Sequence, residues 1–241
     1  MSYLFNPANY DLSDPASIPN LLIQHLTIVG IAMLISILIA IPLGILAARY
    51  KWLYPPVISI AGVMYTIPAL ALIAFLVPVT GLTIATIIIP LILYAQIALI
   101  RNTAAAINGI DPLLIEVGRA MGMNGRQLLQ RVTLPMALPV TIAGIRIAMV
   151  TTIGIASLAS LAGTDSLGTL IFQGISNLQS DQVIAGAILI SLLAIVADLL
   201  LLALQVGLNR YYNLSLTHPT GIYSILLITS SSALLPLCSQ S

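Results

Sequence analysis

Charge is what this chain has least of. Among 241 residues, Lys and Arg number 8 and Asp and Glu 7, so charged residues make up 6%. A soluble domain is about 25% charged, because its surface has to stay wet. Hydrophobic residues reach 59%. So few ions cannot cover a water-facing globule of this size, and the surface faces lipid instead. Cysteine is almost missing too. The single Cys238 excludes an intrachain disulfide and a cysteine metal cluster. A net charge of +1 leaves no basic field for nucleic acid, so no such partner is expected. The first 20 residues hold Asp11 and Asp14 but no Lys or Arg. They lack the positive start of a secretory signal, and no cleaved leader is expected. Tyr3, Leu4, Phe5 and Tyr10 suit an aromatic segment at the membrane interface. Residues 1–20 are read as extracytoplasmic.

What the chain has in abundance is long apolar runs. A helix crosses the hydrocarbon core with roughly 20 such residues. Five stretches qualify: 21–48, 56–77, 82–100, 139–162 and 183–208. Their only ions are Arg146 in the fourth and Asp198 in the fifth. Backbone groups in lipid must bond internally, so these are helices. The alternating pattern of a membrane barrel is absent. The expected fold is an all-α polytopic membrane protein of about five transmembrane helices. Residues 212–241 form a tail without an assigned structure. Within it, 221–237 is at the short limit for a sixth span and is interrupted by Ser230, Ser231 and Ser232.

Orientation follows from the basic residues. Arg49, Lys51, Arg101, Arg119, Arg126, Arg131 and Arg210 all fall on one side of an alternating five-helix chain. Asp11, Asp14, Asp165 and Asp181 fall on the other, without Lys or Arg. The positive-inside rule puts the amino terminus outside and the long connection 101–138 in the cytoplasm.

That connection is long for a passive link. Asp111-Pro112 is a helix start, an N-cap acceptor followed by proline at the first helical position. Leu113, Val117, Ala120 and Met121 recur at helical spacing. Gly122 and Asn124-Gly125 break the helix. Asn124 with Gln127 resembles a capping box for a second short helix carrying Leu128, Leu129 and Val132. Pro135 and Pro139 are expected to stop that helix and return the chain to the membrane. This knob is either a packed connector or a docking surface.

The residues of the knob also carry a resemblance. Glu116-Val117-Gly118, then Gly122, then Val132-Thr133-Leu134-Pro135 resembles the EAA loop of ABC importer permeases, with the family's spacing throughout. Val117 and Gly118 stand for its two alanines, Val132 for its isoleucine, and Thr133 where relatives often carry an acid. The resemblance covers about 21–211 and is nearest to permeases for osmoprotectants such as glycine betaine, carnitine and choline. It is carried further by Tyr65-Thr66-Ile67-Pro68-Ala69-Leu70-Ala71-Leu72, Ile100-Arg101-Asn102-Thr103 and Ala143-Gly144-Ile145-Arg146. On the outer side, Gly163-Thr164-Asp165-Ser166 departs from a more glycine-rich stretch.

The resemblance implies a type I ABC importer permease fold in a bacterial inner membrane. It implies a coupling helix, with Glu116, Val117, Gly118, Met121, Gly122, Leu134 and Pro135, seated in a cleft of a separate ATPase subunit. The chain has no Walker pattern, so ATP and Mg belong to that partner. No catalytic residue, metal or cofactor is assigned here. A second permease subunit, identical or related, and an extracytoplasmic binding protein docking near Asp165, Gln173 and Asp181 are implied as partners. A permease for another small solute, such as an amino acid, is the alternative. An autonomous carrier or a membrane enzyme is more remote.

Some residues keep two readings. Arg146 and Asp198 lie at similar depth and read as a structural pair, or as a gate. Pro42, Pro68 and Pro90 are packing kinks or hinges. Tyr65 is a packed tyrosine or an aromatic face for a quaternary ammonium. His25 is read as interfacial.

Overall fold

The computed structural model describes residues 2–211, and among them there is no strand. α1 (Ser2–Phe5) and a 3-10 turn (Pro7–Tyr10) precede the long α2 (Ile18–Arg49). The next apolar stretch is divided into α3 (Tyr54–Thr66) and α4 (Ala69–Thr80), bent by 89°. α5 (Ile84–Asn108) leads to α6 (Pro112–Ala120) and α7 (Gly125–Leu128). A π-helical turn, Leu129–Thr133, joins α7 to α8 (Leu134–Ala156), and a 3-10 turn, Ser157–Ala162, extends α8. α9 (Gly168–Ser176) and α10 (Ser180–Tyr211) complete the described chain.

Four helical segments are long and apolar enough to cross a bilayer: Ile18–Arg49, Ile84–Asn108, Gly125–Ala162 and Ser180–Asn209. The bent α3–α4 pair brings the count to five when taken as one span. The suggested sixth span, 221–237, lies outside the described residues.

α5 sits at the centre, packed on α2 along one side and α8 along another. Their shared core holds Ile28, Met33, Ile87, Leu91, Leu99 and Ile153. Lipid tails are as apolar as leucine, so burial alone does not join helices in a bilayer; close packing does. Glycine supplies it here. A Cβ on Gly44 would stand 2.7 Å from Thr103 Cβ, and one on Gly144 2.5 Å from Asn102 Cβ. α10 packs on α8 and α9. It leaves Ile184, Ile188, Leu192, Ile195 and Leu199 exposed at helical spacing, an uncovered apolar row. α3 and α4 rest mainly on α5, burying only Ala61 and Ile73 of their own residues.

The prolines divide by context. Pro42 and Pro90 lie inside unbroken helices, Pro90 fully buried. Pro68 breaks its span. Ile67 before it is extended, at φ −69° and ψ 127°, because the proline ring crowds a helical predecessor. Pro68 O then accepts from Leu72 N at 3.0 Å, starting α4 in a new direction.

The expected stop at Pro135 and Pro139 is corrected. Helical structure runs through both, from Gly125 to Ala162. Pro135 is the second residue of α8, and its missing N–H falls where helical geometry is already changing from π to α. The turn before it is widened, so Leu134 N–H reaches back to Leu129 O. A π turn of this kind accommodates the ring that would otherwise crowd the preceding turn.

His25 is corrected as well: it is 0% exposed, not interfacial. Leu21, His25, Ile28 and Ala32 fall on one stripe of α2, and the whole stripe is buried.

Candidate functional site

The knob formed by α6 and α7 is built by local signals that agree with one another. Asp111 accepts from Leu113 N at 2.9 Å, and Pro112 opens α6. Leu113, Val117 and Met121 then point away from the bundle, Met121 being 72% exposed, with Glu116 exposed beside them. Such an apolar row is unusual on a water-facing helix and marks a contact surface.

α6 ends in a Schellman motif. Gly122 N donates to Arg119 O at 2.9 Å and Met123 N to Gly118 O at 3.1 Å. Gly122 has φ +79°, a left-handed conformation that disfavours a side chain. A Cβ there would meet nothing within 4 Å. Within this chain the close approach belongs instead to Gly118, whose Cβ would stand 2.6 Å from Leu128 Cδ1. α6 therefore lies directly on α7. Asn124 and Gln127 form a capping box, each side chain accepting from the other's N–H at 2.9 Å. Leu134 and Pro135 head α8, half-buried. α7, the π turn and α8 thus run as one unbroken helical segment from Gly125 to Ala162.

Eleven residues along α8 from Pro135, about 16 Å by helical rise, stands Arg146. Its Nε donates to Asp198 Oδ1 at 2.8 Å and its Nη2 to Asp198 Oδ2 at 2.8 Å. This is the bidentate geometry in which arginine holds a carboxylate best. The third guanidinium nitrogen, Nη1, donates to Gln205 Oε1 at 3.1 Å. The structure brings Arg146 and Asp198 together and joins α8 to α10. Sequence reasoning overlooked Gln205. Its signal was its place seven residues after Asp198, on the same helical face.

At the α3–α4 bend, Tyr65 and Tyr94 meet edge to face, ring centroids 5.7 Å apart and planes at 79°. Tyr94 is buried, and its hydroxyl donates to Ile67 O at the break. Tyr65 is 47% exposed.

Beyond α8, Asp165 and Gln173 are exposed. Near them a cleft of about 410 Å³ is lined by Tyr3, Asn6, Gln179, Ser180, Asp181 and Gln182. Among the described residues no three or more His, Cys, Asp or Glu side chains converge as a metal site.

Comparison with known proteins gives one consistent picture. Residues 40–210 match the model of the family described as binding-protein-dependent transport system inner membrane component. The osmoprotectant import permease protein OsmW of Salmonella typhimurium is 40% identical, over 83% of this chain and 96% of its own length. The choline transport system permease protein OpuBB of Bacillus subtilis is 36% identical, over 80% of this chain and 91% of its own. The carnitine transport permease protein OpuCB of Listeria monocytogenes is 39% identical, over 79% and 88%. Among solved structures, the inward-facing MetNI methionine ABC transporter superposes with a TM-score of 0.67 at 21% identity, over 77% of this chain and 93% of that one. At that identity the likeness is one of fold.

Proposed function

This chain belongs to the family of binding-protein-dependent transport system inner membrane components, and we propose that the solute it passes is a small osmoprotectant of the glycine betaine, carnitine or choline kind. It is a permease subunit of an ABC importer, not an enzyme, and ATP is hydrolysed by a separate subunit. The solute class rests on relatives 36–40% identical over most of the chain. The same relatives favour this solute class over an amino acid.

The coupling reading rests on one observation: an exposed apolar helix fused to a transmembrane helix. Leu113, Val117 and Met121 form the face offered to the ATPase, and Glu116 sits beside it to meet a donor. Gly122 ends the helix, and Gly118 seats it on α7. A push on α6 is passed to α7 by contact, to α8 by continuous helix, and to α10 by the Arg146–Asp198 grip. Rocking these helices as a body alternates access between the two faces. Reversing such an equilibrium from 1:99 to 99:1 takes roughly 5.5 kcal/mol of differential binding, which a sliding contact would dissipate. A second permease subunit completes the pathway, the amino terminus lies outside, and the binding protein docks on the face of Asp165, Gln173 and Asp181.

The test is reconstitution in liposomes with the ATPase and the binding protein. ATP-dependent uptake of radiolabelled choline, glycine betaine or carnitine is expected. Uptake that persists without the ATPase would refute the reading.

A further inference from the structure

We propose that the exposed face of Tyr65, braced by Tyr94 at the α3–α4 bend, is a way-station for the quaternary ammonium head of the solute inside the membrane. The proposal rests on the solute class inferred above and adds a binding site in this chain.

The first observation is the bend itself. A span broken by 89° inside an apolar stretch interrupts the hydrogen-bond ladder of its helix. Backbone broken at membrane depth is tolerated where protein or a water-filled cavity covers it, not where lipid does. Tyr94 and α5 cover one side of the break, and the proposed pathway lies on the other, where Tyr65 and Pro68 are exposed. Discontinuous helices of this kind build the solute sites of many carriers.

The second observation is the aromatic pair. Tyr94 is anchored at both ends, by burial of its ring and by its hydroxyl on Ile67 O, the carbonyl freed by the break. Its contact with Tyr65, at 5.7 Å and 79°, holds the Tyr65 ring while leaving it 47% exposed. A ring so held keeps about half of its residue's surface free for a solute. A quaternary ammonium donates no hydrogen bond, and an aromatic face attracts it by charge alone.

The third observation is what the arm lacks. From Tyr54 to Ile100 the sequence has no Asp, Glu, Lys or Arg. A carboxylate there would hold a cation strongly and slow its exit. A π face without a counter-ion binds weakly, which suits a site that has to be left as readily as it is entered.

The test uses the purified permease–ATPase complex without binding protein, so that only membrane sites are read. Saturation-transfer NMR on the choline methyl protons reports contact. Tetramethylammonium should compete, and dimethylbutanol, the neutral carbon isostere of choline, should not. Tyr65→Phe keeps the ring and should keep the signal, whereas Tyr65→Leu should weaken binding about fivefold. Should Tyr65→Leu fail to assemble, ring-fluorinated phenylalanines at position 65 replace it, with binding falling stepwise as fluorine drains the ring. Tyr94→Phe removes the anchor on Ile67 O and should raise the inhibition constant for tetramethylammonium less than Tyr65→Leu does. Equal choline signals in wild type and Tyr65→Leu, or equal competition by the neutral isostere, would overturn the site while leaving the transport function standing. If wild-type liposomes take up no quaternary amine at all, it is the solute assignment that fails.

Discussion

Where α5 meets α2 and α8, glycines stand at positions whose Cβ would overlap a neighbour: 2.7 Å for Gly44 and 2.5 Å for Gly144. In the α3–α4 arm, Gly62 faces nothing nearer than Ile97 Cδ1 at 3.9 Å. The two regions use the same apolar alphabet. One is locked by backbone proximity, and the other leans on α5 with Ala61 and Ile73 as its only buried residues. Composition does not separate them, because leucine facing lipid and leucine facing a helix cost about the same in a bilayer. What separates them is whether small residues let backbones close up. The locked frame carries the Arg146 grip and the α6–α7 knob. The looser arm carries the break and the tyrosines. A transporter needs both: a body that transmits a push, and an element whose local stability is low enough to move.

Substitutions test that division. The largest effect is expected for Gly144→Leu in the frame. Its side chain must displace Asn102, and overpacking a tight contact costs about 1–3 kcal/mol. The yield of assembled complex and its thermal midpoint should both fall; an unchanged midpoint would mean that the frame is not locked at α5–α8.

Next comes Asp198→Ala, which leaves the Arg146 guanidinium without its carboxylate. Transport should be lost while membrane insertion persists. The exchange Arg146→Asp with Asp198→Arg should restore part of the activity, because the pair is reciprocal. Full insertion with no restoration in the exchanged variant would assign the two side chains separate roles.

Gly122→Val should act at the knob alone. A β-branched residue at φ +79° costs roughly 1–3 kcal/mol of local strain. ATP hydrolysis should uncouple from uptake with little change in the thermal midpoint. Normal coupled uptake would separate the Schellman turn from force transmission.

The smallest effect belongs to Gly62→Ala in the arm. Open space and the better helix propensity of alanine predict a change of no more than about 1 kcal/mol, in the stabilising direction. A large loss of midpoint would show that the arm is packed more tightly than its contacts indicate.

Much was decided by the sequence on its own. Hydropathy located the spans, because the cost of placing polar groups in lipid is local and additive along the chain. Asp111, Pro112, Asn124 and Gln127 announced the knob, because caps act over three or four residues. Arg146 and Asp198 stood out because an ion within a span requires a partner. Other features only the tertiary structure decided. Pro42, Pro68, Pro90 and Pro135 are the same residue, yet one breaks its helix and three do not, since the outcome depends on what packs against each turn. His25 was assigned to the interface by its place along α2 and put in the interior by the stripe it shares. Gln205 joined the ion pair, and Tyr94 the bend, through contacts between residues far apart in the chain. Signals confined to one helical turn are written in the sequence, whereas meetings between helices depend on how closely two backbones approach.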